Sequence, residues 1–261
     1  MYQHHRESIE KATEKLKRDA GVLAIIVGGS IAHGFEQRGS DIDLMIVVSE
    51  EEYLSRTKEN RLHYFNDQLC TYQGGYIDGK YISLDLMEKT AQIGSEPARF
   101  AFEGALVTYS KLDEVEKLLK SIPQYPVALK QERINRFYAQ LEAWKWYCAE
   151  AIKQDNTYLL HQAVTRLILF GGRMVLAHNQ TLYPYHKWFL KVLARVKNKP
   201  EQLMVRIDQL LKDHSAEKIE LFYRSIIDLT DWGVAAVQWQ NLFVKDSELN
   251  WLDGAPPIAD I

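Results

Sequence analysis

A chain of 261 residues and 30.3 kDa holds one large domain or two small ones, and it can bury a core without disulfides or structural metal. Hydrophobic residues at 46% and charged residues at 26% exclude wholesale disorder and a fibrous or repeat architecture. The formal net charge of -3 excludes an overall basic field of the kind that binds nucleic acid, but the charge is unevenly spread. Residues 1–123 carry a net of -5, residues 124–200 a net of +8 and residues 201–261 a net of -6. The basic middle either faces a polyanionic small ligand or pairs with its acidic flanks.

In chain order, Ile9, Ala12, Thr13, Leu16 and Ala20 follow helix spacing and Gly21 ends the run. The polar character of this stretch predicts that it is not a signal peptide. Val22–Val27 reads as a buried strand, and Gly28-Gly29-Ser30 opens a stretch with room for one or two helical turns up to Arg38. Residues 41–48 read as a second strand and 50–61 as a charged helix. Strands are expected at 69–77 and 80–87, joined through Asp78-Gly79, a strong hairpin turn signal. Residues 88–103 read as helical or irregular, 105–110 as a strand and 113–121 as a helix.

Ile122-Pro123-Gln124-Tyr125-Pro126 breaks the pattern, and helix period dominates from there to about residue 244. An apolar stripe runs through 159–175, where the Gly171-Gly172 pair reads as close helix packing because no Gly-Lys-Ser/Thr follows it. Pro184 reads as the first-turn proline of a helix reaching Val196, followed by helices at 201–212 and 216–243 and a polar, proline-bearing tail at 248–261. The expected organisation is an α/β domain over 1–123 followed by an all-helical domain over 124–261. Cys70 and Cys148 match no metal or redox spacing and read as reduced thiols of a cytoplasmic protein. No apolar run approaches the roughly 20 residues of a membrane span.

One constellation carries chemistry. In a strand, alternate side chains share a face, so Asp41 and Asp43 point one way while Ile42 and Leu44 point into the protein. Two carboxylates on one face repel unless a cation sits between them, and hard oxygen ligands at short spacing suit Mg²⁺. Gly28 and Gly29 let the backbone approach a ligand closely, and a helix starting at Ser30 would favour phosphate there. A phosphate nest beside a carboxylate pair describes a site for a metal-bound nucleoside triphosphate.

Gly29-Ser30, ten further residues and then Asp41-Ile42-Asp43 in an apolar strand resembles the polymerase-β-like nucleotidyltransferase superfamily. Arg38-Gly39-Ser40 before the aspartates is similar to its antibiotic and minimal nucleotidyltransferase branches. The resemblance implies an α+β fold, with a small mixed sheet followed by a helical bundle. It implies two Mg²⁺ ions on Asp41, Asp43 and a third carboxylate from a later strand, for which Asp85 between apolar neighbours in 81–87 is the choice. Asp78 is the rival, and Asp67 sits in a similar turn; Asp-Gly turn chemistry accounts for Asp78 without a catalytic role. Gly28, Gly29, Ser30, Arg38 and Ser40 would hold the nucleotide, and Lys187 by analogy would reach its phosphates.

Around Lys187, Lys191 shares its helix face, and Tyr183, Tyr185 and His186 are candidates for a nucleoside pocket. Arg166 and Arg173 share another face as phosphate contacts or salt bridges. By the resemblance, the enzyme moves a nucleoside monophosphate, by default AMP from ATP, to a hydroxyl of a small molecule such as an aminoglycoside. Asp228 and Asp231 on the last long helix would meet such a polycation. Transfer to a protein or tRNA and a catalytically silent nucleotide-binding module are the alternatives. A monomer or homodimer, no membrane association and no nucleic acid partner complete the expectation.

Overall fold

Val22–Val27 (β1) has no polar side chain, and Ile42–Val48 (β2) has only Asp43, so neither strand can lie at a solvent-facing edge. They pair antiparallel at the centre of a five-stranded sheet, with Val27 opposite Leu44 and Ile25 opposite Ile46. The computed structural model describes residues 1–249; the expected tail therefore falls almost wholly outside the described residues. The other strands are His63–Asn66 (β3), Ile77–Ser83 (β4) and Leu106–Ser110 (β5), in the order β3-β4-β2-β1-β5. Only β2 and β4 run parallel.

Helices cover both faces of the sheet. Ile9, Ala12 and Leu16 of Gln3–Leu16 (α1) join Ile25, Val27, Ile42, Leu44, Ile46 and Ile77 in one core. After the short helix Gly29–Ala32 (α2) and the surface helix Glu50–Lys58 (α3) come Leu84–Ile93 (α4), Glu96–Phe100 (α5) and Glu114–Ser121 (α6). Met87, Val115 and Ile122 close the second core against Ala24, Ile26, Met45, Val47 and Ile82. Alternation along β2 thus assigns Met45 and Val47, and with them Asp43, to the α4–α6 face.

The expected hairpin at Asp78-Gly79 is corrected. Both residues lie inside β4, and 69–76 is not a strand. Gly79 is opposite Tyr64, and a Cβ there would sit 3.1 Å from the tyrosine's Cβ, so the glycine serves close strand approach rather than a turn. The strand expected over 80–87 also ends early. Ser83 Oγ accepts a hydrogen bond from Leu86 N at 3.1 Å and starts α4, which puts Asp85 in the first turn of a helix.

The chain divides into two compact units, Met1–Gln124 and Tyr125 onward. The second is helical: Lys130–Lys153 (α7), Thr157–His178 (α8), Phe189–Arg195 (α9), Leu203–Lys212 (α10), Ala216–Ile227 (α11) and Trp239–Phe243 (α12). Asn156 caps α8 through its side-chain oxygen, 3.0 Å from Leu159 N. Gly171 faces Phe222 and Ile226 of α11, and Gly172 faces Phe189 and Leu193 of α9, so consecutive glycines admit two helices to two sides of α8. The single helix expected over 216–243 is interrupted. Buried Trp232 turns back and donates its indole N–H to the Ile226 carbonyl at 3.0 Å, and Gly233 follows at φ 66°. Pro184 lies ahead of a 3₁₀ turn at His186–Trp188, and α9 begins only at Phe189. The protein is an α+β molecule, a small mixed-sheet domain followed by a helical bundle. Among the described residues no helix is long and apolar enough to cross a membrane.

Candidate active site

The site is built where β1 ends and β2 begins. Gly28 N donates to the Asp43 carbonyl at 3.0 Å, which ties the glycine turn to the carboxylate-bearing strand. Gly29 has φ +59°, and a Cβ placed on it would stand 1.6 Å from Oδ2 of Asp43 and 2.3 Å from its Cγ. The Asp43 carboxylate therefore lies directly over the glycine, a position no other residue permits. Next to it, the Ser30 hydroxyl is buried with no hydrogen-bond partner. A buried hydroxyl left unpaired costs about 1–3 kcal/mol, which a phosphate oxygen accepting from it would recover.

Asp41 and Asp43 are half-buried while Ile42 and Leu44 between and beyond them are buried. The segment before Asp41 is tightly held. Gln37 N donates to Ser40 Oγ at 2.9 Å, Ser40 N to the Gln37 carbonyl at 3.0 Å and Tyr72 OH to the Ser40 carbonyl at 2.5 Å. Nε2 of His4 lies 2.8 Å from the Arg38 carbonyl, while Arg38 and Gly39 remain exposed. His33, packed 4.3 Å from the Phe100 ring, has its pKa lowered by burial.

The aspartate that stands beside Asp43 in the sheet is Asp78. In the parallel ladder Asp78 is the register partner of Asp43. Tyr76 links the three groups: its pKa is raised first by the charge of Asp41, then by the hydrogen bond it donates to Asp41, by burial, and by the charges of Asp78 and Asp43. Nε2 of His63 bonds Oδ1 of Asp78 at 2.8 Å. Asp85 lies past the end of β4: Ser83 is five positions beyond Asp78 along the strand, roughly 17 Å at about 3.3 Å per residue, and the Asp85 carboxylate pairs with Lys89 at 2.6 Å. Asp67 lies outside the strands, between β3 and β4.

Tyr76, His63 and Tyr72 were not singled out by sequence reasoning. Tyr76-x-Asp78 would have signalled that the tyrosine shares a face with the aspartate, had 77–83 been read as one strand. Lys187 belongs to the second unit, exposed in the 3₁₀ turn, with its ammonium 5.0 Å from the Trp188 ring; Lys191 lies 4.9 Å from the same ring. In that unit Tyr183 lies 3.3 Å from His186, Arg173 stacks on Phe137 and Tyr183, and Arg166 stacks on Trp144. Arg166 and Arg173 thus cover aromatic faces. Asp228 caps the C-terminal end of α11 and Asp231 follows it outside any helix.

Among the described residues no three His, Cys, Asp or Glu side chains form a ready-made metal cage. The donor set still fits Mg²⁺, which typically takes one or two carboxylates and completes its octahedron with waters and substrate phosphate oxygens. Asp41 and Asp43 beside an unpaired Ser30 hydroxyl are such a set.

Comparison with known proteins agrees in kind. The nucleotidyltransferase domain family model matches residues 9–156, more than half of the chain and through the end of α7. No curated protein matches. Among solved structures, a nucleotidyltransferase-like protein from Exiguobacterium sibiricum is similar at 10% identity, covering 94% of this chain and 80% of that one, with a TM-score of 0.48.

Proposed function

The chain belongs to the nucleotidyltransferase domain family, and from that premise we propose that this transferase moves a nucleoside monophosphate, AMP from ATP, to a hydroxyl of a small acceptor with the aid of Mg²⁺. The observation that carries the reading is the Asp43 carboxylate seated on Gly29 beside the unpaired Ser30 hydroxyl. Phosphate donors and metal ligands are in contact there.

In this mechanism the Gly28–Ser30 turn holds the outer phosphates through backbone N–H groups and the Ser30 hydroxyl. Asp41 and Asp43 would hold the metal, two Mg²⁺ ions by the resemblance, and the charge it would supply there is that of a Lewis acid on phosphate oxygens. Tyr76 donates to Asp41 and leaves its remaining lone pairs for coordination. Asp78, rather than Asp85, accepts the proton of the attacking hydroxyl. His63 occupies Oδ1 of Asp78, so the second carboxylate oxygen is the base. The acceptor oxygen bonds to the α-phosphorus as the bond to the bridging oxygen breaks, and pyrophosphate leaves with that electron pair.

Calorimetric titration of Mg²⁺ with a non-hydrolysable ATP analogue tests the reading, with Asp43→Asn beside the wild type. Metal-dependent binding that the variant loses supports it and justifies an acceptor screen beginning with aminoglycosides. Equal binding by Asp43→Asn, or none with analogues of all four nucleotides, overturns it.

A further inference from the structure

We propose that the β3 edge of the sheet is the acceptor subsite, and that it takes a hydroxyl carried on a ring with a flat or apolar face. The proposal rests on Asp78 being the proton acceptor. In-line displacement keeps the attacking and leaving oxygens on opposite sides of phosphorus. The outer phosphates lie at the Gly28–Ser30 turn, which follows β1. In the strand order β3-β4-β2-β1-β5, β2, β4 and then β3 lie on one side of β1, and Asp78 on β4 draws the acceptor to that side.

The side chains met there are aromatic. Phe65 is the antiparallel register partner of Asp78, so the two project from the same face, and Phe65 is 56% exposed. The Tyr76 ring lies 5.5 Å from Phe65 at an interplanar angle of 33°, and His63 lies 6.5 Å from it. A lone exposed phenylalanine is ordinary. Here it is flanked by a tyrosine bonded to Asp41 and a histidine bonded to Asp78. Natural edge strands are usually guarded by charge or proline, and β3 (His-Tyr-Phe-Asn) has neither lysine nor proline. An open shelf of two tilted rings suits one ring face, whether a nucleoside base or the C–H face of a sugar, with the hydroxyl directed at Asp78.

Saturation-transfer NMR on the full chain tests this, with Mg²⁺ and a non-hydrolysable ATP analogue at saturation so that the nucleotide end is filled. Adenosine and methyl glucoside are the ring probes and sorbitol is the acyclic control. The expected result is transfer to a ring probe, negligible transfer to sorbitol, and a ring signal at least about fivefold weaker in Phe65→Ala. Retention in Phe65→Tyr would show that the ring is what is read. A dominant adenosine signal assigns a nucleoside-type acceptor and a dominant glucoside signal a sugar. Equal transfer to sorbitol, or an undiminished ring signal in Phe65→Ala, overturns the subsite. Calorimetry of the analogue on the wild type reads the nucleotide site separately, so its failure is distinguishable from failure of the shelf.

Discussion

Replacing Gly29 by alanine acts at the closest approach made to any glycine among the described residues. The new Cβ meets three atoms of Asp43, at 1.6, 2.3 and 2.7 Å, where real Cβ contacts essentially never fall below 3.0 Å. The backbone also sits at φ +59°, which costs a non-glycine residue roughly 1–2 kcal/mol. The carboxylate must therefore swing away by more than an ångström, and a displacement of about 1 Å in a reacting constellation costs on the order of 10²-fold in rate. Gly29→Ala should lose at least about two orders of magnitude in turnover. It should also lower the melting temperature by several degrees, at roughly 2–8 °C per kcal/mol for domains bracketing this size. Pyrophosphate release and differential scanning fluorimetry read the two effects. In an Asp43→Ala background only the 2.7 Å contact and the φ cost remain, so the stability loss from Gly29→Ala should shrink. A single variant with wild-type turnover and melting would refute the contact as the origin of the glycine.

Asp78→Asn should lower kcat by about 10²- to 10⁴-fold with nucleotide affinity changed little, whereas Asp85→Asn removes only a solvent-exposed pair with Lys89 and should leave kcat near the wild-type value. Steady-state kinetics of the two variants decide, and a larger effect at Asp85 would return the third carboxylate to α4. Gly172→Ala places a Cβ 2.3 Å from Cζ of Phe189 and should destabilise the helical unit by about 1–3 kcal/mol, visible as a lower urea midpoint by far-UV circular dichroism. Burial lowers the pKa of His5, His33 and His178, so the unfolded chain takes up protons first on acidification. Stability is then full above about pH 6.5 and declines as pH falls below it toward the lowered values. The urea midpoint should be lower at pH 5.5 than at 7.5, and a flat profile contradicts the neutral, buried state of these imidazoles.

The central strands were legible because they are buried on both faces. Val22–Val27 needs no partner to declare itself, and one polar position in two across Asp41, Ile42 and Asp43 states which face is wet. The edge was not legible. Asp78-Gly79 is a strong local turn signal, yet the decisive neighbour of Gly79 is Tyr64, fifteen residues back, which local reading cannot see. The four residues of β3, His-Tyr-Phe-Asn, do not alternate apolar with polar in sequence, so their alternation between exposed and half-buried is visible only in the folded chain. Residues 81–87 alternate like a strand only until Ser83 caps a helix, where Leu84, Met87 and Ala91 repeat at helical spacing and Asp85 pairs with Lys89 four residues on. Reading through that boundary put Asp85 on a strand, whereas it stands in the first turn of α4. In the second unit helix period located the elements, but the stop after Ile227 depends on Trp232 folding back, a tertiary event.

The sheet's strand order also bears on how this molecule can change over generations. The Gly28–Asp43 bond joins the two innermost strands, whose side chains are enclosed on both faces, so nearly any exchange there disturbs packing. Residues on β3 lie at the margin, and exchanging exposed ones typically shifts stability by no more than about 0.5 kcal/mol. A lineage carrying this fold can therefore vary what docks against β3 almost freely while the centre stays constant. Relatives should diverge first at the exposed positions 63 and 65 and last at 28–30 and 41–43.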